Sequence, residues 1–193
     1  MIKTLLAGAS ALAFATSGAL AASSFDFTIS GNTNVPTVNV ENTSTNGDTM
    51  VKFLLTIGDD SFNFDFVNAL SVSENSATLN SPDTLNGSAR STFVDIDVML
   101  GMGGTLQFNT DVDPGNGNIV VDYRDILFNN GVAANAIATA FFASGRQASV
   151  LLLDGPDMSS YSYSATAPVP VPAAALLFAP AVAGVSALRR RKR

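Results

Sequence analysis

Apolar and polar residues alternate along three stretches of the chain. Phe25, Phe27 and Ile29 alternate with Asp26 and Thr28, Phe62, Phe64 and Phe66 with Asn63 and Asp65, and Val94, Ile96 and Val98 with Asp95 and Asp97. A period of two puts the apolar set on one face of a strand and the polar set in water. Residues 35–40, 50–57, 106–109, 119–123, 150–153 and 161–163 are further strand candidates. Asn46-Gly47, Asn86-Gly87 and Asn130-Gly131 mark turns, because Asn and Gly tolerate positive φ. About nine short strands with frequent turn signals predict an all-β domain, an antiparallel β-sandwich with a jelly-roll-like order as one option. The Ala-rich stretch 132–144 predicts the single short helix. Residues 22–165 form one domain of ordinary size, and residues 159–172 read as its only long linker.

Both ends break this pattern. Met1-Ile2-Lys3 precedes an apolar run from Leu5 to Ala15, and Ala19-Leu20-Ala21 follows. A short basic region, an apolar run too short to span a bilayer and a small-residue site predict a signal peptide over residues 1–21. Signal peptidase would cleave it after Ala21. At the other end an extended Pro-rich stretch, residues 167–172, leads into Ala173–Leu188. These sixteen residues carry no charge. As a helix they reach about 24 Å, slightly short of a bilayer core of roughly 30 Å. Arg189, Arg190, Arg191, Lys192 and Arg193 then favour the cytoplasmic side. Residues 166–193 therefore read as a Pro-rich motif, a transmembrane helix with inner-membrane contact and a basic tail.

Charge follows the same division. All 16 acidic residues lie between Asp26 and Asp157. The bases within that stretch are Lys52, Arg90, Arg124 and Arg146, so four bases meet sixteen acids and the net charge is −12. Such a body repels nucleic acid and anionic lipid, which need clustered Lys and Arg. The chain has no Cys, His or Trp. That excludes disulfides, thiol nucleophiles and Cys-based zinc sites, and removes the commonest general base.

Val169-Pro170-Val171-Pro172-Ala173, followed by the short apolar helix and the basic end, resembles a VPLPA-CTERM sorting signal, a relative of the PEP-CTERM class. Val171 stands where the name motif has Leu. The resemblance covers about the last 25 residues and says nothing about the body. It implies recognition and tail removal by an exosortase-like membrane protease in a Gram-negative bacterium that makes exopolysaccharide or biofilm matrix.

The chemistry in the body centres on acids. Asp111, Asp113, Asn116 and Asn118, with Asp122 beyond them, offer the close oxygens that Ca²⁺ requires. The spacing does not match an EF-hand, and the competing reading is a polar hairpin turn. Asp59-Asp60 reads as a turn in water. Asp95 and Asp97 share a strand face at roughly 7 Å, within reach of paired catalytic carboxylates, although the same spacing keeps an outer face wet. Residues 101–104, Gly-Met-Gly-Gly, read as a turn because no Lys follows to make a phosphate loop. Asn42-Thr43-Ser44 and Asn86-Gly87-Ser88 fit a glycosylation pattern that carries no weight in a bacterial export product.

These features predict a non-catalytic protein without a required cofactor, exported to the cell surface or the extracellular matrix and associated with exopolysaccharide. The alternatives are a Ca²⁺- or carbohydrate-binding sandwich and an Asp- or Glu-dependent hydrolase. Only three Tyr and no Trp are present as sugar platforms. Glu41 and Glu74, the only Glu residues, sit in no recognisable motif.

Overall fold

Alternation does decide the architecture. The computed structural model describes residues 22–81, 90–114, 120–128, 135–153, 155 and 158–169. Ten strands run in chain order: β1 (Ser24–Gly31), β2 (Pro36–Asn42), β3 (Met50–Thr56), β4 (Phe62–Val72), β5 (Thr78–Ser81), β6 (Phe93–Leu100), β7 (Thr105–Pro114), β8 (Ile137–Phe142), β9 (Gln147–Leu151) and β10 (Ser160–Thr166). Among the described residues one helix, α1 (Tyr123–Leu127), lies between β7 and β8. The strands form two antiparallel sheets of five, ordered β10-β1-β2-β7-β4 (sheet A) and β5-β6-β3-β8-β9 (sheet B). The signal-peptide residues and the span Ala173–Leu188 lie outside the described residues. Among the described residues, no helix is long and apolar enough to cross a membrane.

The inward set of each strand fills the space between the sheets. Phe25, Phe27, Ile29, Val38, Val40, Leu106 and Phe108 come from sheet A. Phe53, Leu55, Val94, Ile96 and Val98 come from sheet B. The Phe53 ring stacks on Phe27 at 5.9 Å and meets the edge of Phe25 at 6.3 Å, so one aromatic ties the two layers. Each such side chain contributes about 1.5–3 kcal/mol by leaving water.

Three expectations fail, each for a tertiary reason. The helix predicted over residues 132–144 is strand β8 in its described part, paired with β3 and β9. Small Ala138 and Ala140 face the core there, so their helix propensity yields to cross-strand packing. The strand expected over residues 119–123 fails as well: residues 120–122 are irregular and Tyr123 opens the helix Tyr123–Leu127. Asp122 caps it by accepting from the Arg124 N–H at 3.0 Å. Third, Asp111 and Asp113 belong to β7 rather than to a loop, because Asp111, Val112 and Asp113 pair with Phe66, Phe64 and Asn63 of β4.

The turn readings at Asn46-Gly47 and at residues 101–104 hold. Gly47 and Gly103 have φ of 73° and 78°. A Cβ on Gly104 would stand 2.9 Å from the Gly101 carbonyl oxygen and 3.1 Å from Leu100 Cβ, so position 104 admits no side chain. Asn86-Gly87 and Asn130-Gly131 lie outside the described residues.

Candidate functional site

The outward positions of sheet A are small and polar. Across the strands run the rows Ser164–Asp26–Glu41–Thr105 and Ser162–Thr28–Asn39–Gln107–Ser71. Between these rows lies an open cleft of about 350 Å³, lined by Asp26, Thr28, Asn39, Val40, Glu41, Ser71, Thr105 and Gln107. Among the described residues, no Lys or Arg lines it. Gln107 Nε2 donates to Asn39 Oδ1 at 2.8 Å, and Ser164 Oγ donates to Asp26 Oδ1 at 2.6 Å. Asp26 and Glu41 are direct register partners. Like charges opposite one another cost stability, so this placement is unfavourable for the fold alone. The cleft thus offers hydroxyl, amide and carboxylate groups in two parallel rows.

A second group of polar residues lies at the far end of β7. Asp65, Asp111 and Asp113 each bring one carboxylate oxygen into a cluster whose members lie within 4.8 Å of one another. Asp65 was expected in water, but it is only 6 % exposed. A β-bulge explains the change. Phe64 pairs with Val112 and Phe66 with Asp111, so Asp65 is an extra residue without a counterpart. The alternation of Phe62, Phe64 and Phe66 ends there. Phe66 is half-buried, and Val67 takes the next core position. Asp111 Oδ1 accepts from the Val112 N–H at 2.9 Å, and Oδ2 accepts from Asn34 Nδ2 at 3.4 Å. Burial, and then the charge of Asp65, push the Asp111 carboxyl above its ordinary value.

Of the five residues expected to bind Ca²⁺, Asp111 and Asp113 are thus brought together. Asp122 is not part of the cluster. Its oxygens are held by the Arg124 guanidinium, with Nε at 2.8 and 3.0 Å and Nη2 closer still. The Arg124 side-chain hydrogen bond keeps the Asp122 carboxyl below its usual range. Asn116 and Asn118 lie outside the described residues. Asp65 was the residue sequence reasoning missed, since neither alternation nor spacing signals a bulge.

The remaining candidates have structural partners. Lys52 of β3 reaches Asp95 at 2.9 Å and Asp97 at 3.5 Å, so a cation sits between the two carboxylates of the proposed catalytic pair. Asp59 Oδ1 accepts from the Ser61 N–H at 2.9 Å, which closes the expected turn. Asn42 is fully buried, with its amide donating to the carbonyls of Asp48 and Leu100, and is no glycosylation acceptor. Asn86-Gly87-Ser88 lies outside the described residues. Of the sorting motif, Val169 is described, half-buried and outside regular structure. Pro170, Val171, Pro172, Ala173, the basic tail, Ala19 and Ala21 lie outside the described residues. No family model matches the chain, and neither a curated protein nor a solved structure matches it significantly.

Proposed function

We propose that this chain is an exported, non-catalytic protein of the cell surface or extracellular matrix, and that its β-sandwich binds exopolysaccharide. The address rests on the sequence of the two ends. Residues 1–21 supply a signal-peptidase substrate. Residues 169–193 supply a transient inner-membrane anchor and a substrate for an exosortase-like protease. The observation that carries the binding function is the cleft on sheet A. Two rows of hydroxyl, amide and carboxylate groups, two residues apart along each strand and so roughly 7 Å from one another, suit the donor and acceptor pattern of a hydroxylated polymer. The cleft volume of about 350 Å³ falls at the small end of ligand sites, enough for one or two sugar rings. With no Lys or Arg among the described residues of the lining, a neutral polymer is favoured over an anionic one. Lys52 between Asp95 and Asp97 argues against hydrolysis at that pair. We assign the sandwich to a jelly-roll-like class because six of the nine connections between its described strands pass between the sheets.

The test is affinity electrophoresis of the full chain through gels holding neutral or uronate-rich polysaccharide. Retardation by the neutral polymer, lost in Asn39→Ala with Gln107→Ala, is the expected result. Equal mobility in every gel would refute the binding function. Retention of the unprocessed precursor in cells carrying Pro170→Ala with Pro172→Ala would support the sorting reading. Processing unchanged by that pair, and by truncation at Pro168, would remove it.

A further inference from the structure

The carboxylate cluster lies four residues along β7 from the cleft and has its own chemistry. Asp65 is more than nine-tenths buried, and its Oδ1 has no hydrogen-bond partner among the described residues. An ionised carboxylate in that state is costly, and the Asp111 carboxylate within 4.8 Å adds repulsion. Neither Asp65 nor Asp111 has a Lys or Arg partner among the described residues. The bulge that turns Asp65 toward Asp111 also leaves Asp65 outside the ladder, so nothing in the sheet requires a carboxyl at this position. A cation inside the cluster removes both costs at once.

Donor type selects the cation. Every donor in the cluster is a carboxylate oxygen, and the chain has no His or Cys to draw a softer metal. Two Ca–O bonds of about 2.4 Å span roughly 4.8 Å, which covers the whole cluster, and calcium accepts irregular oxygen sets. Magnesium demands a tighter octahedron, with bonds of about 2.1 Å. Asn34 stands next to the cluster with a buried, unpartnered Oδ1, while its Nδ2 contacts Asp111 at the long distance of 3.4 Å. Turning this amide about its terminal bond exchanges donor for acceptor and adds a fourth oxygen.

We propose that Asp65, Asp111 and Asp113, with the Asn34 amide, bind one Ca²⁺ ion between β4 and β7. The ion clips the bulged edge strand of sheet A to its neighbour. Three carboxylates with water filling the remaining positions place the affinity in the range of extracellular calcium modules, with Kd on the order of 10⁻⁴ to 10⁻³ M.

Equilibrium dialysis of the full chain against ⁴⁵Ca²⁺ and thermal melts in EDTA, Ca²⁺ and Mg²⁺ test this. The expected results are one ion per chain and a midpoint raised by roughly 3–6 °C at ten times Kd. Asp65→Asn should weaken Ca²⁺ binding at least tenfold while leaving the EDTA midpoint equal to or above that of the wild type, because it removes an unpaired charge. Asp59→Asn with Asp60→Asn, in an exposed turn, should bind as the wild type does. Failure of the wild type to bind, binding that survives Asp65→Asn, or an EDTA midpoint that falls in this variant would overturn the site. An equal shift with Mg²⁺ would overturn the calcium assignment. The electrophoretic test of the cleft reads a separate surface, so either proposal can fail alone.

Discussion

The Phe128 ring lies nearly parallel to that of Tyr161, with centroids 3.6 Å apart and planes at 13°. Phe128 caps the C-terminus of α1, and Tyr161 belongs to β10 at the edge of sheet A. The contact fastens the β7–β8 connection to the sandwich. Tyr161 also donates its hydroxyl to the Gly155 carbonyl at 3.0 Å and accepts from the Met158 N–H at 3.2 Å. Phe128→Ala should therefore cost about 3–5 kcal/mol in denaturant unfolding. Tyr161→Phe, which keeps the stacked ring, should cost about 1 kcal/mol. Equal losses in the two variants would mean that the hydroxyl, not the ring pair, holds this corner.

Asn42 joins two backbone groups of the β2–β3 connection to the end of β6. Its Nδ2 donates to the Asp48 and Leu100 carbonyls, each at 2.8 Å, and its Oδ1 accepts from the Ser44 N–H at 3.1 Å. Replacement by Ala strands these groups in a buried site, and each costs about 1–3 kcal/mol. Asn42→Ala should destabilise the chain by about 3 kcal/mol or more, read as a lower midpoint in urea with an unchanged m-value.

Lys52 serves two carboxylates at the surface. The Asp95 hydrogen bond is the main cause that raises the Lys52 pKa. The lysine side chain is one-third exposed, so solvent screens the pair. Lys52→Met should cost about 1 kcal/mol at low ionic strength, and most of the difference should vanish in 1 M NaCl. A loss that persists in high salt would point to packing of the lysine stem.

Acid titration separates two kinds of carboxyl. Burial raises the Asp48 pKa, but hydrogen bonds from Ser144 and Ser23 outweigh it and hold the group below its ordinary 3.8. Arg124 lowers Asp122 likewise. A lowered folded value means that the unfolded chain binds protons first as pH falls, so these groups stabilise the fold above about pH 4 and lose that effect below it. Asp111 has the opposite sign: its folded value is raised, mainly by burial. Its ionisation costs stability as pH rises above 3.8. In EDTA, Asp111→Asn should therefore raise the midpoint at pH 7 and leave it unchanged at pH 3. Asp48→Asn should lower it at pH 7, with the gap closing below pH 4. Chemical denaturation at the two pH values checks both signs.

Alternation in residues 25–29 and 94–98 was enough to place Phe25, Phe27, Ile29, Val94, Ile96 and Val98 in the core of a two-layer antiparallel fold. The Gly-rich corner at residues 101–104 was equally legible, because positive φ and close backbone approach are demands on single residues. Both signals are local: a strand face and a turn are set by a few neighbouring side chains. The cluster was not legible in that way. Asp65 belongs to an alternating stretch that reads as a plain strand, and only the pairing of β4 with β7 reveals the extra residue that turns it toward Asp111. The same holds for Lys52 between Asp95 and Asp97, and for Ala138 and Ala140, whose strand comes from β3 and β9 on either side. Register, bulges and cross-strand charge partners depend on which segments meet. That choice is made by the summed burial of both sheets, and no stretch of the sequence contains it alone.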